Sequence, residues 1–145
     1  MYYKSILFSV VTLLTGCSVA VTTPVENINA LRYSATTKFE NIKFEGKYYE
    51  LSMCWDSNVE KRNVNFRNST FLEHHPDQKK SVAYVGWTAA SYTTKMYYAI
   101  LMEFTEHSET ETIVNAYGVG ATGAQEIPLW LGVIKDCEFK LKHKD

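Results

Sequence analysis

Lys95-Met-Tyr-Tyr-Ala-Ile-Leu-Met-Glu-Phe104 decides the fold. The run is rich in aromatic and branched residues, which favour a pleated surface. It is almost continuously apolar, without the alternation that would leave one face to water. Such a run suits a central strand covered on both faces. Upstream, Ser81–Ala89 is likewise rich in β-branched and aromatic residues, in Val-Ala-Tyr-Val-Gly-Trp-Thr. Downstream, Thr110–Tyr117 completes a hairpin across the acidic tip Glu106-His107-Ser108-Glu109. The carboxylates of Glu103, Glu106, Glu109 and Glu111 are expected to solvate that tip.

Farther out, Val64–Leu72 alternates at Val64, Phe66, Thr70 and Leu72 and ends in a polar turn cluster, His74-His75-Pro76-Asp77. Ile42 and Phe44 alternate with polar neighbours as a short first strand. Two segments have helical spacing. In Ile127–Cys137, the side chains of Ile127, Trp130, Leu131, Ile134 and Cys137 share one face, with Pro128 in the permitted first turn. Lys47–Asn58 is ambiguous. Tyr48, Leu51, Cys54 and Trp55 fit a helix, while Tyr49, Leu51, Met53 and Trp55 fit a strand equally well. The helix is preferred because each helix then carries one cysteine on its apolar side. The expected fold is α+β: an antiparallel sheet of about four strands with two helices packed on one face, in the order β-α-β-β-β-α.

The chain begins differently. Met1-Tyr-Tyr-Lys4 carries one positive charge, and an apolar run from Ile6 to Leu14 follows. That run is too short for a ~30 Å hydrocarbon core, which needs about 20 residues. A charged start and a short apolar stretch form instead the pattern of a secretory signal. The stretch ends in Leu14-Thr15-Gly16-Cys17, which resembles the lipobox of bacterial lipoproteins. The resemblance implies that residues 1–16 are a signal peptide removed before Cys17, and that the Cys17 thiol takes a diacylglyceryl group. Further acylation of the new amine, palmitate among the candidates, would make the anchoring stable, where a single chain is marginal. Ser18 in the next position implies the outer membrane if the host is Gram-negative. The expected localisation is therefore the cell envelope, facing the periplasm or the surface.

Residues 17–37 are short in large apolar side chains and contain Pro24, so they read as a lipidated tether. Residues 38–145 read as a single small domain. The formal net charge is −1, and loss of Lys4 with the signal leaves 14 basic against 16 acidic residues. Nucleic-acid binders normally carry a basic stripe, so no nucleic-acid partner is expected. With Cys17 taken by the lipid, Cys54 and Cys137 remain as an even pair in an exported protein, and a disulfide between them is expected.

No catalytic pattern stands out. Gly118-Val-Gly-Ala-Thr-Gly123 matches a dinucleotide fingerprint literally, but the 22 residues after it cannot supply the returning parallel strand. A loop from hairpin to helix is the better reading. His74 and His75 are adjacent, and His107 and His143 lie apart, so they do not make a zinc set. There is no G-x-S-x-G and no H-E-x-x-H. Neither catalytic activity, nor a metal, nor a cofactor is expected. Aromatic weight is the remaining feature: Trp87, Tyr97, Tyr98 and Tyr117 are candidates for a contact surface if their face is exposed. The leading expectation is a non-enzymatic envelope protein that acts through an envelope protein partner. The alternative is a module that binds a glycan or small molecule. A contiguous exposed apolar patch would favour the first, and a concave aromatic pocket the second.

Overall fold

The computed structural model describes residues 26–62, 69–88 and 96–143. Residues 1–25, and with them the expected signal peptide, Cys17 and most of the expected tether, lie outside the described residues. In chain order come α1 (Ile28–Ser34), β1 (Thr37–Glu45), α2 (Tyr48–Arg62), β2 (Ser69–His75), a 3-10 turn (Pro76–Gln78), β3 (Lys80–Thr88), β4 (Met96–Ser108), β5 (Glu111–Gly118) and α3 (Gly120–Lys142). The strands form one antiparallel sheet in the order β1-β5-β4-β3-β2.

The apolar run quoted above lies in β4, the central strand, and both of its faces are covered. On one face Ile100, Met102 and Phe104 join a core with Leu51, Trp55 and Val59 of α2 and Ile127, Ile134 and Cys137 of α3. Trp55 anchors this layer: its ring meets Phe104 and Trp130 edge-on, each with centroids 6.2 Å apart. On the other face Leu101 packs with Leu31 of α1 and with Val82, Tyr84, Tyr117 and Val119. The ambiguous segment from Lys47 onward is helical, and Leu51, Trp55 and Val59 are fully buried along its inner side. Cys54 and Cys137 join α2 to α3 in a disulfide, with Cα atoms 5.9 Å apart.

Several boundaries differ from expectation. Among the described residues the sheet has five strands rather than about four, and there are three α-helices rather than two. The third, α1, falls inside the stretch read as tether. The Asn27 side chain accepts a hydrogen bond from the Asn29 N–H at 2.8 Å, and Leu31 is completely buried against the sheet. His74 and His75 are not a turn but the last residues of β2, paired with Ser81 and Lys80. The reversal comes after them, where Lys79 adopts a left-handed conformation. Residues 64–68 of the expected strand lie outside the described residues. β4 continues to Ser108, so the hairpin tip is Glu109-Thr110 and Glu103 lies well inside the sheet. Pro128 sits in the interior of α3, on its exposed side, and α3 also takes in the basic residues Lys140 and Lys142.

The glycine motif is a packing device rather than a loop. β5 ends at Gly118 and α3 starts at Gly120, so strand passes almost directly into helix. A Cβ on Gly118 would lie 2.4 Å from the Gly123 Cα, and one on Gly123 would lie 2.4 Å from the Gly118 carbonyl carbon. Backbone touches backbone there. Gly123→Ala should therefore push α3 off the strand and lower stability by about 1 to 3 kcal/mol, the usual cost of overpacking. The improved helix propensity would offset at most about 1 kcal/mol of it. An unchanged urea midpoint would show that the contact is not tight.

Candidate functional site

The two faces of the sheet are covered unequally. α2 and α3 together span one face. α1 has only seven residues, about 10 Å of helix, against strands spaced about 4.8 Å apart. It lies over β4 and β5 and leaves the β2–β3 half of its face open. That half is a groove of about 510 Å³, walled by Ile28, Asn29 and Arg32 of α1 and floored by Glu73, His75, Lys80, Val82, Tyr84 and Tyr98. Its size is that of an ordinary small-molecule site.

Strand alternation places this floor. Phe71, Glu73 and His75 of β2 and Lys80, Val82 and Tyr84 of β3 are alternate residues of their strands. Tyr98 reaches the same face by an irregularity. The β3–β4 register shifts between Val85, opposite Ile100, and Gly86, opposite Tyr98, leaving Ala99 as the extra residue. Strict alternation would put Tyr98 on the face of Ile100 and Met102. The bulge turns it to the face of Leu101, where it meets Tyr84 edge-on with centroids 5.3 Å apart. Phe71 stacks on the other side of Tyr84 at 5.0 Å, so three rings form a continuous aromatic bank.

The polar groups have defined partners. The Glu103 side chain is 6 % exposed, and its Oε1 accepts from both Arg32 Nη2 and Lys80 Nζ. Burial pushes the Glu103 carboxyl upward, but the two hydrogen bonds and two positive charges outweigh it and hold the group below the usual carboxylate range. Two cations on one carboxylate leave a surplus positive charge at that end of the groove. Toward the β2 edge, Glu73 Oε1 accepts from the Tyr84 hydroxyl at 2.7 Å, and Glu73 Oε2 lies 3.7 Å from His75 Nε2. Burial, reinforced by the bond to Glu73, raises the Tyr84 phenol far above its ordinary value, so it remains a donor.

No protein-family model, curated protein or solved structure matches the chain.

The aromatic candidates separate. Tyr98 lines the groove. Tyr117 is 8 % exposed and packs with Leu31 beneath α1, so it offers no contact surface. Tyr97 is half-buried, and the Trp87 side chain lies outside the described residues. Glu103 corrects another expectation: it is a buried charge and not a solvated tip. The flanking Met102 and Phe104 were the available signal, because a carboxylate inside an apolar central strand needs cations brought to it. Arg32 was missed along with α1. The histidines are dispersed: His74 Nδ1 pairs with Ser81 Oγ at 2.8 Å, His107 faces Lys43 and Glu111, and His143 bonds back to the Phe139 carbonyl. Among the described residues no group of three or more His, Cys, Asp or Glu side chains is arranged to hold a metal ion.

Proposed function

We propose that this is a lipid-anchored protein of the bacterial cell envelope whose domain binds a small polar ligand in the groove beside α1. The groove carries the reading: it is concave and aromatic on one bank, and it contains a few oriented polar groups. These are the features that distinguish a ligand site from a partner surface. The large exposed apolar side chains give less support to a protein partner. Tyr33 lies on α1, on the opposite side of the sheet from Tyr49 and Met53 of α2 and Leu129 and Phe139 of α3. Leu14-Thr15-Gly16-Cys17 supports the anchor, and Ser18 supports the outer membrane.

Each half of the proposal has its own test. Cys17→Ser should move the protein from the membrane to the soluble fraction of fractionated cells; retention in the membrane would refute the anchor. For the groove, the lipidated protein in detergent should show saturable thermal stabilisation by at least one member of a panel of glycans, amino acids and short peptides. At a ligand concentration 100 times Kd the gain is about 2.7 kcal/mol. Tyr98→Ala should abolish it. A panel without effect, or one whose effect survives Tyr98→Ala, would remove the groove as the site.

A further inference from the structure

The groove's charges are ordered along one row of the sheet. Glu73 of β2 is directly opposite Val82 of β3, and Val82 is directly opposite Glu103 of β4. At about 4.8 Å per strand, the two carboxylate-bearing residues stand roughly 10 Å apart with an apolar side chain between them. The ends of the row differ in sign. At the Glu103 end, Arg32 and Lys80 together exceed the single negative charge, and their side chains remain 32 % and 21 % exposed. Both cations have donors beyond the one that each gives to Glu103. At the other end Glu73 is 53 % exposed, and its hydrogen bond from Tyr84 uses only part of its accepting capacity. Glu26 also lines the groove.

We infer that the groove takes a zwitterion of about dipeptide length, a short peptide with free amino and carboxyl termini. The ligand carboxylate sits on Arg32 and Lys80, and its ammonium group on Glu73. Its backbone crosses Val82 beside the rings of Tyr84 and Tyr98. An extended dipeptide spans about 7 Å, within the roughly 10 Å between the Glu73 and Glu103 backbones. Charge-assisted bonds at each terminus give orientation as well as affinity. The inference rests on the groove being a ligand site and adds the ligand's chemical class.

The test is calorimetric titration of the lipidated protein in detergent, with amide-shift mapping, using alanyl-alanine as the probe. Two blocked analogues, N-acetyl-alanyl-alanine and alanyl-alanine amide, are run beside it, together with a neutral disaccharide of N-acetylglucosamine. Saturable binding of the free dipeptide is expected, with shifts at Glu73, Val82, Tyr84 and Tyr98 and at least tenfold weaker binding of each blocked analogue. Glu73→Gln should weaken the dipeptide about tenfold and leave N-acetyl-alanyl-alanine, which lacks the ammonium group, unchanged. Its exposure means that the thermal midpoint should hardly move. Equal binding of free and blocked dipeptides, or shifts that map elsewhere, would overturn the inference. If the disaccharide binds in the groove and the dipeptide does not, the zwitterion is wrong and the ligand site stands. If no probe shifts the groove, both fall.

Discussion

Replacing Cys54 and Cys137 together by alanine should lower the stability of the domain by about 4 to 5 kcal/mol. The bridge closes a sequence separation of 83 residues, most of the domain. On the chain-entropy account, cross-linking so long a loop removes that much freedom from the unfolded chain. It does so at low cost to the folded state, because both cysteines project between α2 and α3. Cys137 is fully buried, and the Asn58 amide beside the bridge donates to the Cys54 carbonyl at 2.7 Å. Domains of this size are typically stable by about 5 to 15 kcal/mol in total, so the loss is a large share of the whole. At about 4 to 8 °C per kcal/mol, the thermal midpoint should fall by roughly 20 °C or more. Urea unfolding of wild type with and without reductant provides the control, because reduction should reproduce most of the double-alanine effect. A midpoint indifferent to reductant, or free thiols on alkylation of the denatured, unreduced protein, would show that the bridge does not form.

That bridge was legible because cysteine count and helical spacing agreed. The central strand was legible as well: seven successive apolar or aromatic residues from Met96 to Met102 leave little choice but burial on both faces. What covers the second face was not. α1 has one fully buried side chain, Leu31, with Ile28 a turn before it, and two apolar residues are too few for a period to register. Its start signal, Asn27 ahead of Ile28, was present, yet Pro24 and the sparse apolar content favoured an extended tether. The site was lost for a related reason. Alternation assigns Tyr98 to the face of Ile100, and only the bulge at Ala99 reverses this. A bulge consists of backbone geometry in two paired strands, and one strand read alone does not reveal it. Likewise the glycines at 118 and 123 carried a real constraint, but the sequence could not separate backbone meeting phosphate from backbone meeting backbone.

Glu103→Gln should loosen α1 and cost about 2 kcal/mol. The substitution keeps the shape and removes the charge that holds Arg32 and Lys80 together on the sheet. Removing one partner of a fully buried pair typically costs about 3 to 5 kcal/mol; both cations here remain partly in water and recover some solvation, which lowers the figure. The loss should be local. α1 is held by Leu31 and Arg32, so amide exchange across residues 28–34 should accelerate in the variant while β4 and α3 stay protected. Acid should act in the same way on the wild type. Because Glu103 titrates below the ordinary glutamate range of about 4.3, it binds its proton less readily folded than unfolded. Its stabilising contribution is therefore complete above that range and is lost as pH falls through it toward the folded value. Wild type and Glu103→Gln should differ at neutral pH and converge in acid. Replacing Arg32, Lys80 and Glu103 together by methionine separates the possible roles of the cluster. If the charges specify where α1 docks and contribute little net stability, the triple variant should be nearly as stable as wild type, because apolar replacement of a whole buried ionic cluster is often neutral or better. It should nonetheless lose the groove's affinity for anions. Unchanged α1 exchange in Glu103→Gln would mean that the apolar contacts of Leu31 and Ile28 seat the helix and that the ionic cluster serves only the groove.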